Sequence, residues 1–194
     1  EFDMSETFKK VYEEEYGTFG GAPYGLLIGD YDFNASPADV GLLTQNARLF
    51  HGSIRENVTM GMPLATDDQG FEAIAMAGAL PFLQSRAEGL DELIHEGGLG
   101  LSGGQRQALL LARTLIRQPS IVLLDEPTAH FDEVTERHVI DLVGNWMGPR
   151  TLVVATHRMP VLQWVDRIVV IDGGRIVMDG SKEQVLGRLS HGNA

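Results

Sequence analysis

Residues 121–126 read Ile-Val-Leu-Leu-Asp-Glu, between Pro119-Ser120 and Pro127. Four consecutive apolar residues bounded by turn signals fit a strand buried on both faces, as in a parallel sheet. The two carboxylates that close it, Asp125 and Glu126, then fall at the C-terminal edge of that sheet, where α/β proteins bind ligands. An Asp there suits Mg²⁺, directly or through water. A neighbouring Glu suits removal of a proton from an attacking water. By themselves, two acids that merely end a strand account for the pattern equally well.

Outward from this strand, helical and strand-like segments alternate. Helical periodicity runs over Gly70–Leu83, Gly103–Arg117 and Glu133–Trp146, with a closing helix over Lys182–Leu189 and a short helix or turn over Ile54–Met60. Val40–Leu43 and Leu152–Val154 are further buried runs, and Tyr24–Tyr31 reads as a short buried strand. Arg167–Asp179 alternates around Asp172-Gly173-Gly174, which signals a hairpin. The order predicts an α/β domain with a largely parallel sheet. Towards the start, Ser5 is placed to cap an acidic helix through about Tyr16, and Gly17–Pro23 is a glycine-rich loop.

Composition narrows the classes. The 194 residues carry 15 Lys+Arg against 27 Asp+Glu, a net charge of −12. That balance argues against nucleic-acid binding through a basic surface. No cysteine is present, so disulfides, thiolate metal sites and cysteine nucleophiles are excluded. No apolar run reaches the ~18 residues of a membrane span, and Glu1-Phe2-Asp3-Met4 does not read as a secretory signal. A soluble chain without direct membrane insertion is expected. The charge is uneven: residues 1–45 hold nine acids, two bases and all four tyrosines. Such a step marks a candidate boundary.

Three more segments carry chemistry. Leu101-Ser102-Gly103-Gly104-Gln105 opens a helix; Ser102 is a natural N-cap, and the glycines let an anion approach the helix start. An ordinary capped helix also explains Ser-Gly-Gly alone. Gln45 ends the run Leu42-Leu43-Thr44-Gln45, and His157 follows the strand at 152–154. Singly, neither distinguishes function from structure.

Together the four segments resemble the ATP-binding cassette (ABC) nucleotide-binding domain. Residues 101–105 are identical to its LSGGQ signature, Gln45 matches the Q-loop, residues 121–126 match Walker B with the catalytic glutamate, and His157 stands at the switch histidine. Ala129-His130-Phe131-Asp132 lies at the D-loop, where only Asp132 keeps the usual residue. Asn46–Gly61 and His95–Gly100 look exporter-like, closest in style to type I secretion transporters, although Leu99 replaces a common arginine. The resemblance spans about residues 41–189.

It implies a RecA-like parallel core with a helical signature subdomain, with ATP and Mg²⁺ as cofactors. Glu126 and His157 would be catalytic, Asp125 and Gln45 would hold metal, and Gln45, Ser102, Gly103, Gly104, Gln105 and Asp132 would contact nucleotide. The implied partners are the transmembrane domain of an exporter and a second nucleotide-binding domain. The implied location is cytoplasmic, peripheral to the inner membrane.

One required element is missing. The family's Walker A, G-x-x-x-x-G-K-[ST], provides the lysine that reaches the β/γ-phosphates. Only Lys9, Lys10 and Lys182 exist here, and none follows a glycine. In its place, Phe8–Val40, above all EEEYGTFGGAPYGLLIGDY, resembles the large subunit of the type VI secretion contractile sheath. The expected organisation is therefore a sheath-like segment over 1–40 and a front-truncated cassette over 41–194. The expected function is an exporter ATPase domain that is inactive alone. The alternatives are a non-enzymatic module that engages sheath-like partners, and a fusion without a joint function. The strand at 24–30 is expected to replace the P-loop strand, beside Walker B, with Tyr31–Pro37 taking the place of the P-loop.

Overall fold

The computed structural model describes residues 25–28, 40–60 and 62–191, with backbone only for 25–28 and 191. The expected helix after Ser5 and the loop at Gly17–Pro23 lie outside the described residues.

A six-stranded sheet organises the molecule. Its strands are β1 (Gly25–Ile28), β2 (Val40–Leu43), β5 (Ile121–Asp125), β6 (Thr151–Thr156), β7 (Arg167–Asp172) and β8 (Arg175–Ser181), in the order β2-β5-β6-β1-β7-β8. β2, β5 and β6 are parallel, with Val40 opposite Ile121 and Ile121 opposite Thr151. All six residues of β6 are buried, the mark of a central strand covered on both faces. β7 and β8 form the expected hairpin. Gly173 and Gly174 turn it with φ of 56° and 73°, a conformation glycine adopts without steric cost.

A smaller pair, β3 (Gly52–Ser53) and β4 (Leu93–Ile94), belongs to the segment between β2 and β5. That segment also holds α1 (Ile54–Val58), α2 (Asp67–Met76), α3 (Leu80–Gln84) and α4 (Gly103–Leu115). One helix was expected over 70–83; two form. Gly78 breaks the run with φ 75°, and a Cβ there would meet Val139 at 2.6 Å. α5 (Glu133–Met147) and α6 (Lys182–His191) complete the set.

The core lies where α4 meets the sheet and the small helices. Leu109, Leu111 and Leu115 of α4 are fully buried, with Val122 of β5, Val139 of α5 and Ile74 of α2. Each such side chain contributes about 1.5–3 kcal/mol. Arg113 ties α4 to α1 and to the segment before it. Its Nε donates to the Asn57 carbonyl (2.7 Å), Nη2 to Asn57 Oδ1 (2.8 Å) and Nη1 to the Arg48 carbonyl (3.0 Å). Asn57, fully buried, also pairs with both main-chain groups of Phe50. Burial holds the Arg113 guanidinium below its ordinary pKa.

β1 corrects the sequence reading in two respects. It joins the sheet, but its neighbours are β6 and β7; β5, the Walker B-like strand, is not one of them. It also runs antiparallel to both, with Gly25 opposite Thr156 and Ile28 opposite Val153. The chain therefore leaves β1 towards the edge away from Asp125. β2 begins on that same edge, since Val40 faces Ile121. Ile28 and Val40, the described residues on either side of 29–39, both lie at the edge away from Asp125, whereas a phosphate loop leaves its strand at the Asp125 edge. Residues 31–37 themselves lie outside the described residues.

Candidate functional site

The parallel alignment of β5 and β6 delivers Asp125 and His157 to one edge. β5 ends at Asp125, which is half-buried and pairs in register with Ala155. Glu126 then turns with φ 47°, a left-handed conformation unusual for a non-glycine residue. Its N–H donates to the Ala155 carbonyl at 2.9 Å. The turn aims the side chain inward, where it is only 4% exposed. Oε1 accepts from the His157 main-chain N–H (3.0 Å) and lies 2.6 Å from His157 Nδ1; Oε2 accepts from the Thr156 hydroxyl (3.1 Å). Both oxygens are thus occupied, and the imidazole, itself largely exposed, is held by the carboxylate.

A second buried carboxylate lies alongside. Glu136 of α5 receives Arg158 through Nε–Oε1 (2.5 Å) and Nη2–Oε2 (2.6 Å), and the Thr128 hydroxyl donates to Oε1 (2.6 Å). Burial pushes the Glu136 carboxyl up, but the bonds from Arg158 and Thr128 outweigh it and hold it below the ordinary carboxylate range. The bond to Glu136 raises Arg158 in turn. Three segments meet here: the turn after Glu126, α5, and the residue next to His157.

The start of α4 is built as the sequence suggests. The Ser102 hydroxyl accepts from the Gln105 N–H (3.2 Å), and Gln105 Oε1 accepts from the Ser102 N–H (2.9 Å), a complete capping box. The glycines face the turn at 127–131. A Cβ on Gly103 would lie 3.2 Å from the His130 ring, and one on Gly104 3.1 Å from the His130 carbonyl oxygen. Close helix-to-turn approach is therefore a second use of these glycines, beside anion contact.

Gln45 is exposed. It lines a cleft of about 250 Å³ with Gly103, Gln107 and His130. Ser102, Gly104, Gln105 and Asp132 line a second cleft of about 270 Å³. Asp132 caps α5, accepting from Val134 N–H (3.0 Å), Thr135 N–H (2.9 Å) and the Thr135 hydroxyl (2.8 Å). The Thr135 main-chain bond leads in holding its carboxyl below the usual range. The expected site residues thus fall in three neighbouring places rather than one.

Gln107 links them. Its Nε2 donates to the Pro127 carbonyl (3.0 Å) and the Glu126 carbonyl (3.3 Å), and its Oε1 lies 3.3 Å from His130 Nδ1. Gln107, Glu136 and Arg158 carry little signal in the sequence. Only two signals stood for them: Glu136 lies one turn after Asp132, and Arg158 adjoins His157.

The residues fit nucleotide unequally. Asp125 and Gln45 offer hard oxygen donors of the kind Mg²⁺ takes, although no group of three or more His, Asp or Glu able to hold a metal occurs among the described residues. The start of α4 fits an anion. The phosphate-loop side does not fit: the chain has no glycine-linked lysine, and β1 runs the wrong way to present a loop at this edge. No helix among the described residues is long and apolar enough to cross a membrane.

Fold and site together define a class: the chain carries an ABC exporter-type nucleotide-binding domain that lacks Walker A. Its relatives agree. The heterocyst differentiation ATP-binding protein HepA of Nostoc sp. is 33% identical over 162 residues, 84% of this chain and 27% of that protein. An ATP-dependent lipid A-core flippase of Desulfotalea psychrophila is 37% identical over 84% of this chain and 28% of its own length. The cyclolysin secretion/processing ATP-binding protein CyaB of Bordetella pertussis is 35% identical over 84% and 23%. A solved bacterial Atm1-family ABC exporter with ATP bound superposes with a TM-score of 0.72 at 32% identity, covering 78% of this chain and 26% of that one. The chain thus spans about a quarter of the length of these relatives. Residues 1–53 match a different family, VipB (EvpB/VC_A0108, tail sheath N-terminal domain). Two family likenesses thus meet along this chain, one over residues 1–53 and one over most of its length.

Proposed function

We propose that residues from about 41 onward act as the signature-bearing half of an exporter ATPase. Ser102, Gly103 and Gly104 contact the terminal phosphate of a nucleotide held by a second cassette, and Gln105 and Asp132 border it. Asp125 and Gln45 are the metal-facing residues, Glu126 the proton acceptor and His157 the group that steadies it. The observation that carries this reading is the start of α4: a capping box with two glycines, packed by Gln107 and His130 against the turn that follows Glu126. That arrangement couples an anion-binding helix end to the carboxylate edge. The Glu126–His157 bond holds the acceptor in place.

The phosphate-loop half is missing, so the chain alone does not turn over ATP. Steady-state phosphate release is expected at background and unchanged by Glu126→Gln; turnover that the variant abolishes overturns this. Binding of a fluorescent ATP analogue, with and without Mg²⁺, is expected to be weak in the chain alone and to strengthen when an intact exporter cassette is added. The implied partners are that second cassette and a transmembrane exporter domain, which would hold the chain at the inner membrane from the cytoplasmic side.

The match of residues 1–53 to a sheath domain favours a second reading, in which the opening segment engages sheath-like partners. Pull-down of purified sheath subunits by the full chain tests it. Capture that survives substitution of Ser102 and Glu126 supports a non-enzymatic role, and no capture removes it.

A further inference from the structure

Four of the seven buried polar or charged side chains among the described residues gather at one edge: Glu126, Thr128, Glu136 and Thr156. Buried polar groups persist where each finds a partner, and these are linked to one another. The Thr156 hydroxyl donates to Glu126 Oε2 (3.1 Å) and accepts from the Arg158 N–H (3.0 Å). The Arg158 guanidinium forks onto Glu136. The Thr128 hydroxyl closes onto Glu136 Oε1, and Thr128 stands two residues after Glu126. The path from Glu126 through Thr156, Arg158, Glu136 and Thr128 thus returns to Glu126 as a closed ring.

A closed ring constrains the turn from both sides. Glu126 has φ 47°, in the left-handed region, and a non-glycine residue stays there only where its surroundings over-determine it. Within the turn, main-chain bonds are local: Ala129 N–H to the Glu126 carbonyl (3.2 Å) and Phe131 N–H to the Thr128 carbonyl (3.1 Å). Glu136 reaches the turn from α5. It bonds to neither Glu126 nor His157, yet its oxygens hold the residue after His157 and the second residue after Glu126.

We propose that Glu136 is a positioning residue for the Glu126–His157 pair. Through Arg158 on one side and Thr128 on the other, it keeps carboxylate and imidazole facing each other. This role rests on the reading of Glu126 as proton acceptor and His157 as its support, and it supplies what fixes that pair.

The pair has a spectroscopic signature. An ionised carboxylate only accepts, so His157 Nδ1, 2.6 Å from Glu126 Oε1, must have the proton. That bond fixes the tautomer and leaves Nε2 bare. Nitrogen-15 spectra of the imidazoles in the full chain, at alkaline pH with the rings neutral, read the tautomer directly; His157→Gln identifies the signal. His157 is expected as Nδ1–H in the unsubstituted chain and to lose that preference in Glu126→Ala. Glu136→Gln and Thr128→Val are each expected to lower the ratio of Nδ1–H to Nε2–H about tenfold, the worth of roughly one hydrogen bond. Thr128→Val leaves the Arg158–Glu136 pair in place, so it decides the matter where Glu136→Gln does not fold. Asn57→Ala removes buried bonds in α1, outside the ring, and is expected to leave the ratio unchanged. An unchanged ratio in either ring variant that folds overturns the proposal. So does an equal fall in Asn57→Ala, which marks general loosening, or a His157 without the Nδ1–H preference in the unsubstituted chain. The spectra involve no nucleotide and no second cassette. Failure of the ATPase reading therefore shows in analogue binding, and failure of the positioning role in the tautomer ratio.

Discussion

Glu136 shows how a single side chain organises this edge. It is buried, it accepts from Arg158 twice and from Thr128 once, and it sits between the turn after Glu126 and the residue after His157. Glu136→Gln keeps the shape but leaves the guanidinium without its counter-charge, and about 2–4 kcal/mol of stability is expected to go. Chemical denaturation of both chains measures it. The pH dependence has a definite sign. Because the folded carboxyl is held below its ordinary value of 4.5, its contribution is fully present above that pH and is lost as pH falls through the lower folded value. The gap between the melting temperatures of wild type and Glu136→Gln is therefore expected to be constant near neutrality and to narrow below about pH 4.5. A gap that widens on acidification contradicts this assignment.

The element that matters most is α4, which carries the capping box at Ser102 and clamps α1 and the segment leading to it. Ser102→Ala removes the hydroxyl half of the capping box and is expected to cost about 1 kcal/mol. At the other end, Arg113 fastens residues 48–57 through Asn57 and the Arg48 carbonyl. Asn57→Ala strands the Phe50 N–H and one arm of Arg113 in the interior, and a loss of about 2–4 kcal/mol is expected. Hydrogen exchange separates the two variants. Ser102→Ala is expected to loosen only the first turn of α4, and Asn57→Ala the whole stretch from Arg48 to Val58. Uniform loosening in both would show that α4 is not the common support.

At the scale of the molecule, the sheet depends on β1, a strand from the stretch that matches the tail sheath domain. Leu27→Pro removes a ladder donor from an interior strand, and a destabilisation on the order of 3 kcal/mol is expected. A thermal melt unchanged by this substitution would show that β1 contributes nothing to the sheet. Charge follows the same division. More than half of the net −12 belongs to residues 1–45, so that segment stays acidic wherever its strand docks.

The class of the fold was legible in local pattern. Ile121–Glu126, the Ser-Gly-Gly-Gln cap and the Asp-Gly-Gly hairpin each follow from a few adjacent residues, and each formed where the pattern placed it. The lack of a glycine-linked lysine is likewise a sequence fact, independent of folding. What sequence did not disclose depends on partners distant along the chain. The polarity of β1 is set by which sheet slot is open and how the chain reaches it, and an apolar run has no direction written in it. Glu136 finds Arg158, Gln107 finds the Glu126 turn and His130 fills the space beside Gly103 only after the helices dock. Sequence determined the cassette class and its missing lysine, because both reside in contiguous residues. Tertiary structure alone decided that β1 enters the sheet antiparallel to both neighbours, because only the bonded neighbours on each side fix a strand's direction.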